Sequence, residues 1–163
     1  PLVSRTAIGT GHAAHKLVEM AGGINIAAGH LPGYEDTPIE YGEIETEWVL
    51  SQNPEVIVGR AMGKGIRPYE NENNSLLQEY VEDLKALPGF DNLSAVLNNR
   101  IYIITNDYAV TPNYPSALML LAKWFYPDQF ADQDPQAAHQ EYANMMGLDY
   151  DVAKKGAFFF PEQ

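Results

Sequence analysis

The stretch from Tyr41 to Arg60 constrains the fold more than any other part of the chain. It reads as loop, short helix, proline break and apolar strand. Glu45 or Thr46 is placed to cap a helix that runs to about Gln52. Asn53-Pro54 ends it, because proline disfavours helical geometry in the residue before it. Glu55-Val-Ile-Val-Gly59 is a short β-branched run and reads as a buried strand. A capped helix feeding a buried strand belongs to alternating α/β architecture.

The rest of the chain keeps that alternation. From His12 to Ala21, apolar Ala14, Leu17, Val18 and Ala21 recur at three-four spacing and form one helical face, which Gly22-Gly23 terminates. Residues 28–43 carry Gly, Pro, Asp and Tyr and read as loop, as do residues 60–74. Ser75 caps a helix to Leu87, with Leu76, Leu77, Tyr80, Val81, Leu84 and Leu87 on its buried side. After Pro88-Gly89, a short helix spans Leu93 to Asn98, and Arg100-Ile-Tyr-Ile-Ile-Thr105 is the second clear strand. The loop Asn106 to Tyr114 leads into a helix from Pro115 to about Tyr126, proline being well tolerated in a first turn. Asp134-Pro135 opens the last helix, and Phe158-Phe-Phe-Pro161 reads as a packed C-terminus. The pattern predicts a three-layer, Rossmann-like α/β sandwich with a largely parallel central sheet.

At 163 residues the chain fits one domain with a real core. A formal charge of −12 argues against nucleic acid, whose phosphates it would repel, and against adhesion to an anionic membrane. Zero cysteines exclude disulfides, thiolate metal sites and cysteine nucleophiles. No apolar run approaches the ~20 residues of a membrane helix, and no targeting segment is visible at Pro1.

In sheets of this kind ligands sit beyond the carboxyl ends of the strands. That rule nominates the loops around Gly9–His12, Arg60–Tyr69 and Asp107–Tyr114, and with them Thr10, His12, Arg60, Tyr108, Thr111 and Tyr114. Arg60, Lys64 and Arg67 concentrate positive charge on one loop of an acidic chain, and a strand-end arginine suits bidentate contact with an anionic ligand. Tyr34, Tyr41, Tyr69, Tyr108 and Tyr114 all fall in loops, where rings can stack on a flat or greasy ligand. Gly9-Thr-Gly11 fails as a dinucleotide fingerprint, since Ala14 stands where the third glycine belongs. Gly59-Arg-Ala-Met-Gly-Lys-Gly65 fails as a phosphate loop, with Gly65 where Ser or Thr is needed. His12 and His15, three apart on a helix, could share a divalent metal with a third ligand, as a zinc receptor or a hydrolase; the His-Glu-x-x-His arrangement is missing. No serine-histidine-acid or paired-carboxylate arrangement stands out, and no intrinsic cofactor is expected.

Four segments carry a resemblance. They are His15-Lys-Leu-Val-Glu-Met-Ala-Gly-Gly-Ile-Asn-Ile-Ala-Ala28, Ile44-Glu-Thr-Glu-Trp-Val-Leu-Ser-Gln-Asn-Pro-Glu-Val-Ile-Val58, Leu93-Ser-Ala-Val-Leu-Asn-Asn-Arg-Ile-Tyr-Ile-Ile104 and Ala122-Lys-Trp-Phe-Tyr-Pro127. In this order they resemble the C-terminal lobe of the substrate-binding proteins that feed ABC importers with iron–siderophore, haem or cobalamin. The resemblance implies a non-enzymatic, extracytoplasmic receptor lobe, residues 1–163, with the first lobe and the linking helix outside this chain. It implies a metal chelate as ligand, most of all a ferric siderophore, and the transmembrane permease subunits as partner, with the membrane reached only through an anchor or the permease. By position it makes Tyr41 the ligand-facing aromatic before the capped helix. It makes Glu47 the acidic residue presented to permease arginines; charge compensation at a helix start is its plainer role.

Overall fold

The computed structural model describes residues 4–31, 38–63, 65–71 and 73–161. Tyr34 and Lys64 lie outside the described residues. Strand β1 (Ser4–Ile8) leads through a glycine turn into α1 (Ala13–Met20), and β2 (Tyr41–Glu45) runs straight into α2 (Thr46–Gln52). Asn53 ends α2 in the left-handed region at φ 43°, where a short polar side chain is tolerated better than most. Next come β3 (Ile57–Ala61), α3 (Ser75–Lys85), a 3-10 turn at Phe90–Asn92, α4 (Ser94–Leu97) and β4 (Ile101–Thr105). One-turn α5 (Asn106–Ala109), α6 (Tyr114–Phe125), α7 (Pro135–Met145) and β5 (Phe159–Phe160) complete the order.

β3 and β4 pair in parallel, Ile57 opposite Ile101 through Ala61 opposite Thr105. β5 adds to β4 antiparallel, and β1 pairs antiparallel with β2 as a separate two-stranded ladder. The α/β layering is as expected. The parallel character is narrower than expected, being confined among the described residues to β3–β4. β2 is the reason: Tyr41-Gly-Glu-Ile-Glu45 exposes every second residue, and its single aliphatic side chain gives little strand signal.

Alternation along β4 builds the two cores. Ile104 belongs to a cluster with Leu17 and Ala21 of α1, Ala117, Leu120, Leu121 and Trp124 of α6, Ala143 of α7 and Phe158. Its neighbour Ile103 faces the other way, into Leu77 and Val81 of α3, Ala95 of α4 and Ala157. Side chains of successive strand residues point to opposite faces, so helices cover both sides and the sheet is the middle of three layers. Each fully buried leucine contributes roughly 1.5–3 kcal/mol. Arg100 closes the C-terminal end of α6, donating from Nη2 to the carbonyls of Trp124 (3.0 Å) and Phe125 (2.9 Å), where a cation also suits the helix dipole. The tail packs as the sequence indicates, with Phe158 buried and Phe159 and Phe160 paired to β4. In α3, Leu77 and Val81 are buried, but Leu76 and Tyr80 are exposed, so its inner face is narrower than the sequence pattern drew it. No helix among the described residues is long and apolar enough to cross a membrane.

Candidate functional site

Three segments converge beyond the carboxyl ends of the strands. The turn after β1 crosses the segment before β2, with Gly9 N–H donating to Glu40 O and Gly11 N–H to Ile39 O, both at 2.9 Å. A Cβ on Gly9 would sit 2.2 Å from Ile39 O, so only glycine allows this crossing. The crossing also consumes the two glycine amides, so this helix start does not present them to an anion. Thr10 is half-buried between these two glycines.

The crossing brings His12 and Tyr41 side by side, their ring centroids 5.0 Å apart at 54°. Arg60 enters from the end of β3. Its Nη1 lies 3.1 Å from His12 Nδ1 and also contacts Nε2, and its Nη2 donates to Tyr41 Oη. The guanidinium carbon stands 5.2 Å from the centre of the Tyr41 ring, within cation–π range. Met62 Sδ accepts from Nη2 at 3.2 Å; nothing in the sequence marked Met62. All of these Arg60 partners are neutral, and no carboxylate lies in ion-pair range of it among the described residues. In a chain with 22 acidic and 10 basic residues, that is a cation at the strand ends that no described carboxylate pairs.

His12 is the N-cap of α1, its Nδ1 accepting from Ala14 N–H at 2.9 Å. Burial, and then the adjacent Arg60 charge, hold its imidazole below the usual histidine range against a weaker opposing pull from Glu40. His12 is therefore neutral at pH 7. His15 does not join it: His15 is buried, 3.3 Å from the Asn25 amide through Nδ1 and 3.5 Å from Glu19 Oε1 through Nε2. The two histidines contact different groups, and no cluster of three or more potential metal-ligating His, Cys, Asp or Glu side chains occurs among the described residues.

The remaining expectations divide. Tyr114 is exposed, and with Thr111 it lines a groove of about 250 Å³ against Ala13, Lys16, Leu17 and Met20 of α1. Thr111 Oγ1 donates to Asp107 O at 2.9 Å and accepts from Asn113 N–H at 3.3 Å. Tyr108 does not face a cleft. One-turn α5 carries it into the core, where it is 1% exposed and packs against His139, Phe158 and Phe159. Burial raises its phenol far above the ordinary range, which rules it out as a phenolate ligand. Tyr69 also turns inward, its hydroxyl 2.9 Å from His139 Nε2. Arg67 points to Glu70 at 3.5 Å rather than to the His12–Arg60 group. Glu47 is exposed in the first turn of α2, beside Trp48, whose ring stacks on His30 at 4.0 Å and 12°.

The family model for periplasmic binding proteins matches residues 4–108, which spans β1 to α5 and so includes His12, Tyr41, Glu47 and Arg60. The chain belongs to the periplasmic binding protein family. Solved structures of such binding proteins share its fold. The TroA-like periplasmic binding protein FepB from Veillonella parvula aligns over 97% of this chain and 44% of its own, at 22% identity and a TM-score of 0.77. The ABC-type Fe3+-hydroxamate transport system protein from Saccharomonospora viridis aligns over 74% of this chain and 36% of its own, at 27% identity and a TM-score of 0.52. CeuE from Helicobacter pylori, in a complex with Ni-His, aligns over 91% and 42%, at 19% identity and a TM-score of 0.63. This periplasmic binding protein chain thus spans less than half the length of each. A comparison with curated proteins finds no match.

Proposed function

We propose that the chain is one lobe of the extracytoplasmic solute-binding component of an ABC importer. It contributes half a cleft that captures an iron complex, a ferric siderophore before haem or cobalamin, and hands it to the membrane permease. Residues 1–163 form the C-terminal lobe in this reading, and the cleft closes against a second lobe. No bond is made or broken: the lobe is a receptor, with no catalytic residue and no resident cofactor.

The observation that carries the reading is Arg60, a strand-end guanidinium with no carboxylate in ion-pair range among the described residues, framed by Tyr41 and His12. An arginine so placed in an acidic chain meets its charge requirement with an anionic ligand, through charge-assisted hydrogen bonds in a fork geometry. Tyr41 is 40% exposed and offers a ring face as well as a hydroxyl, which suits a chelate with apolar edges. Family membership and the Fe3+-hydroxamate transport relative support an iron complex as the cargo. In this reading Thr10, Thr111 and Tyr114 would flank the ligand, and Glu47 would meet the permease.

Titrating the two-lobed protein with ferric trihydroxamates, ferric tricatecholates, haem and cobalamin tests this directly. Saturable binding of a ferric chelate is expected. Failure of all four to bind would end the proposal.

A further inference from the structure

The partners of Arg60 are not equally strong. Its Nη1 lies against the His12 ring, and its Nη2 donates to Tyr41 Oη and, at 3.2 Å, to Met62 Sδ. Nη2 carries two of the guanidinium's five hydrogens, so these two acceptors take both. A ligand oxygen that reaches Nη2 must displace one of them. The thioether yields first, because sulfur is a weak acceptor and a phenol oxygen a stronger one. Met62 is thus the exchangeable partner of the cation. It is 58% exposed, just beyond the end of β3. Met20, Met145 and Met146 are exposed as well, but among the described residues only the sulfur of Met62 takes a hydrogen bond.

One sulfur lone pair faces Arg60 and the other is free to attack an oxidant. With a hydroperoxide it attacks the terminal oxygen: an S–O bond forms and the O–O bond breaks. The proton on that oxygen passes to the leaving oxygen, which departs as water or an alcohol. Sulfur loses two electrons and the peroxide gains them. The product oxygen holds the negative end of a strong dipole, on a side chain with three rotatable bonds. Toward a guanidinium it makes a charge-assisted hydrogen bond that a thioether cannot match. Oxidation therefore turns the weakest partner of Nη2 into one that a ligand oxygen does not easily displace.

We propose that Met62 is an oxidation site that regulates binding: hydroperoxides convert its thioether to the sulfoxide, which closes Arg60 Nη2 to the ligand. A dithiol-dependent reductase reopens it, the sulfoxide oxygen leaving as water while the dithiol becomes a disulfide. This regulation rests on the reading of Arg60 as the cation that holds the ligand.

The test compares the two-lobed protein with its Met62→Leu and Met62→Gln variants, each against its own untreated form. Treatment is with hydrogen peroxide, removed by catalase before titration. Peptide mass mapping should find one added oxygen on Met62. A gallium trihydroxamate, which avoids iron-driven peroxide chemistry, should bind the oxidised parent about tenfold more weakly, the worth of a charge-assisted hydrogen bond. Methionine sulfoxide reductase should restore the loss. Met62→Leu should keep its own affinity through treatment, although Met20, Met145 and Met146 are oxidised in it too. Met62→Gln carries an amide oxygen in place of the sulfoxide oxygen and should bind like the oxidised parent without any oxidant. Side-chain 15N NMR of Arg60 reads the contact with no ligand present: the Nη2 resonance should shift on oxidation of the parent and stay put in treated Met62→Leu. A Met62 that resists peroxide while the other three are oxidised would overturn the inference. So would an unshifted Nη2 resonance, or an equal loss of affinity in Met62→Leu. An Nη2 shift in a protein that binds no complex before treatment would overturn the receptor reading, and this regulation with it.

Discussion

Arg60 and Tyr108 show how little a residue's type says about its role until its backbone is placed. Arg60 lies in the last residues of β3 and Tyr108 just after β4, yet one is a half-buried cation among neutral partners and the other is core. Arg60→Ala should therefore weaken ligand binding by about 2 kcal/mol, roughly 30-fold, the worth of a charge-assisted hydrogen bond. Arg60→Lys should recover little of it, because an ammonium cannot reproduce the fork shared between His12 and Tyr41. Isothermal titration of the two-lobed protein reads both. Tyr108→Phe should leave affinity unchanged and cost about 1 kcal/mol of stability, since the Tyr108 hydroxyl is bonded inside the core, to Ser116 and at 3.5 Å to Pro135 O, rather than toward a ligand. A loss of affinity in Tyr108→Phe comparable to that in Arg60→Ala would return Tyr108 to the site.

Among elements, the turn between β1 and α1 does the positioning. Gly9→Ala drives a methyl into the Ile39 carbonyl, and the crossing of residues 9–11 over 39–40 must open. Destabilisation of about 1–3 kcal/mol is expected in urea unfolding, together with weaker ligand binding, because His12 and Tyr41 are brought together by that crossing. This is also where legibility from sequence divides. α1, α2, α6 and α7 announce themselves through apolar spacing, prolines and glycines, and the structure places each within a few residues of expectation. β3 is displaced by two residues toward Ala61, a shift within the pleat's own period that preserves which side chains face each way. β2 and α5 were not legible. An exposed strand with one aliphatic residue and a single helical turn both depend on neighbours: β2 on its ladder to β1, α5 on the packing of Tyr108 and Ala109 under α6. The sequence pattern nominated His12 and Arg60, which respectively follow β1 and sit near the end of β3, while Tyr41 came from the resemblance, and the structure brings the three side chains together. Met62 was not nominated, because a thioether in a polar loop gives no pattern.

At the scale of the whole molecule, two properties separate folding from function. His139 is fully buried among Tyr69, Tyr108 and Phe158, and burial lowers its pKa to about 4 from an ordinary 6.5. The unfolded chain thus takes up the proton first as pH falls. Stability should decline between about pH 6.5 and pH 4, by up to about 3 kcal/mol, and His139→Phe should flatten that decline in urea unfolding across the same window. Glu47 lies on the opposite side of this division. It is an exposed carboxylate in the first turn of α2, where its local contribution is a few tenths of a kcal/mol, and it makes no contact with the His12–Tyr41–Arg60 group. Its neighbour Trp48 stacks on His30, with ring centroids 4.0 Å apart at 12°. A single charge presented this way sets docking register more than affinity. Glu47→Ala should accordingly leave both unfolding and chelate titration unchanged while slowing uptake in cells that carry the permease and its ATPase. Glu47→Asp, which keeps the charge on a shorter stem, should lie between the two. Uptake by Glu47→Ala indistinguishable from the parent would remove Glu47 from the permease interface, and leave its carboxylate with nothing to do but settle the end of a helix.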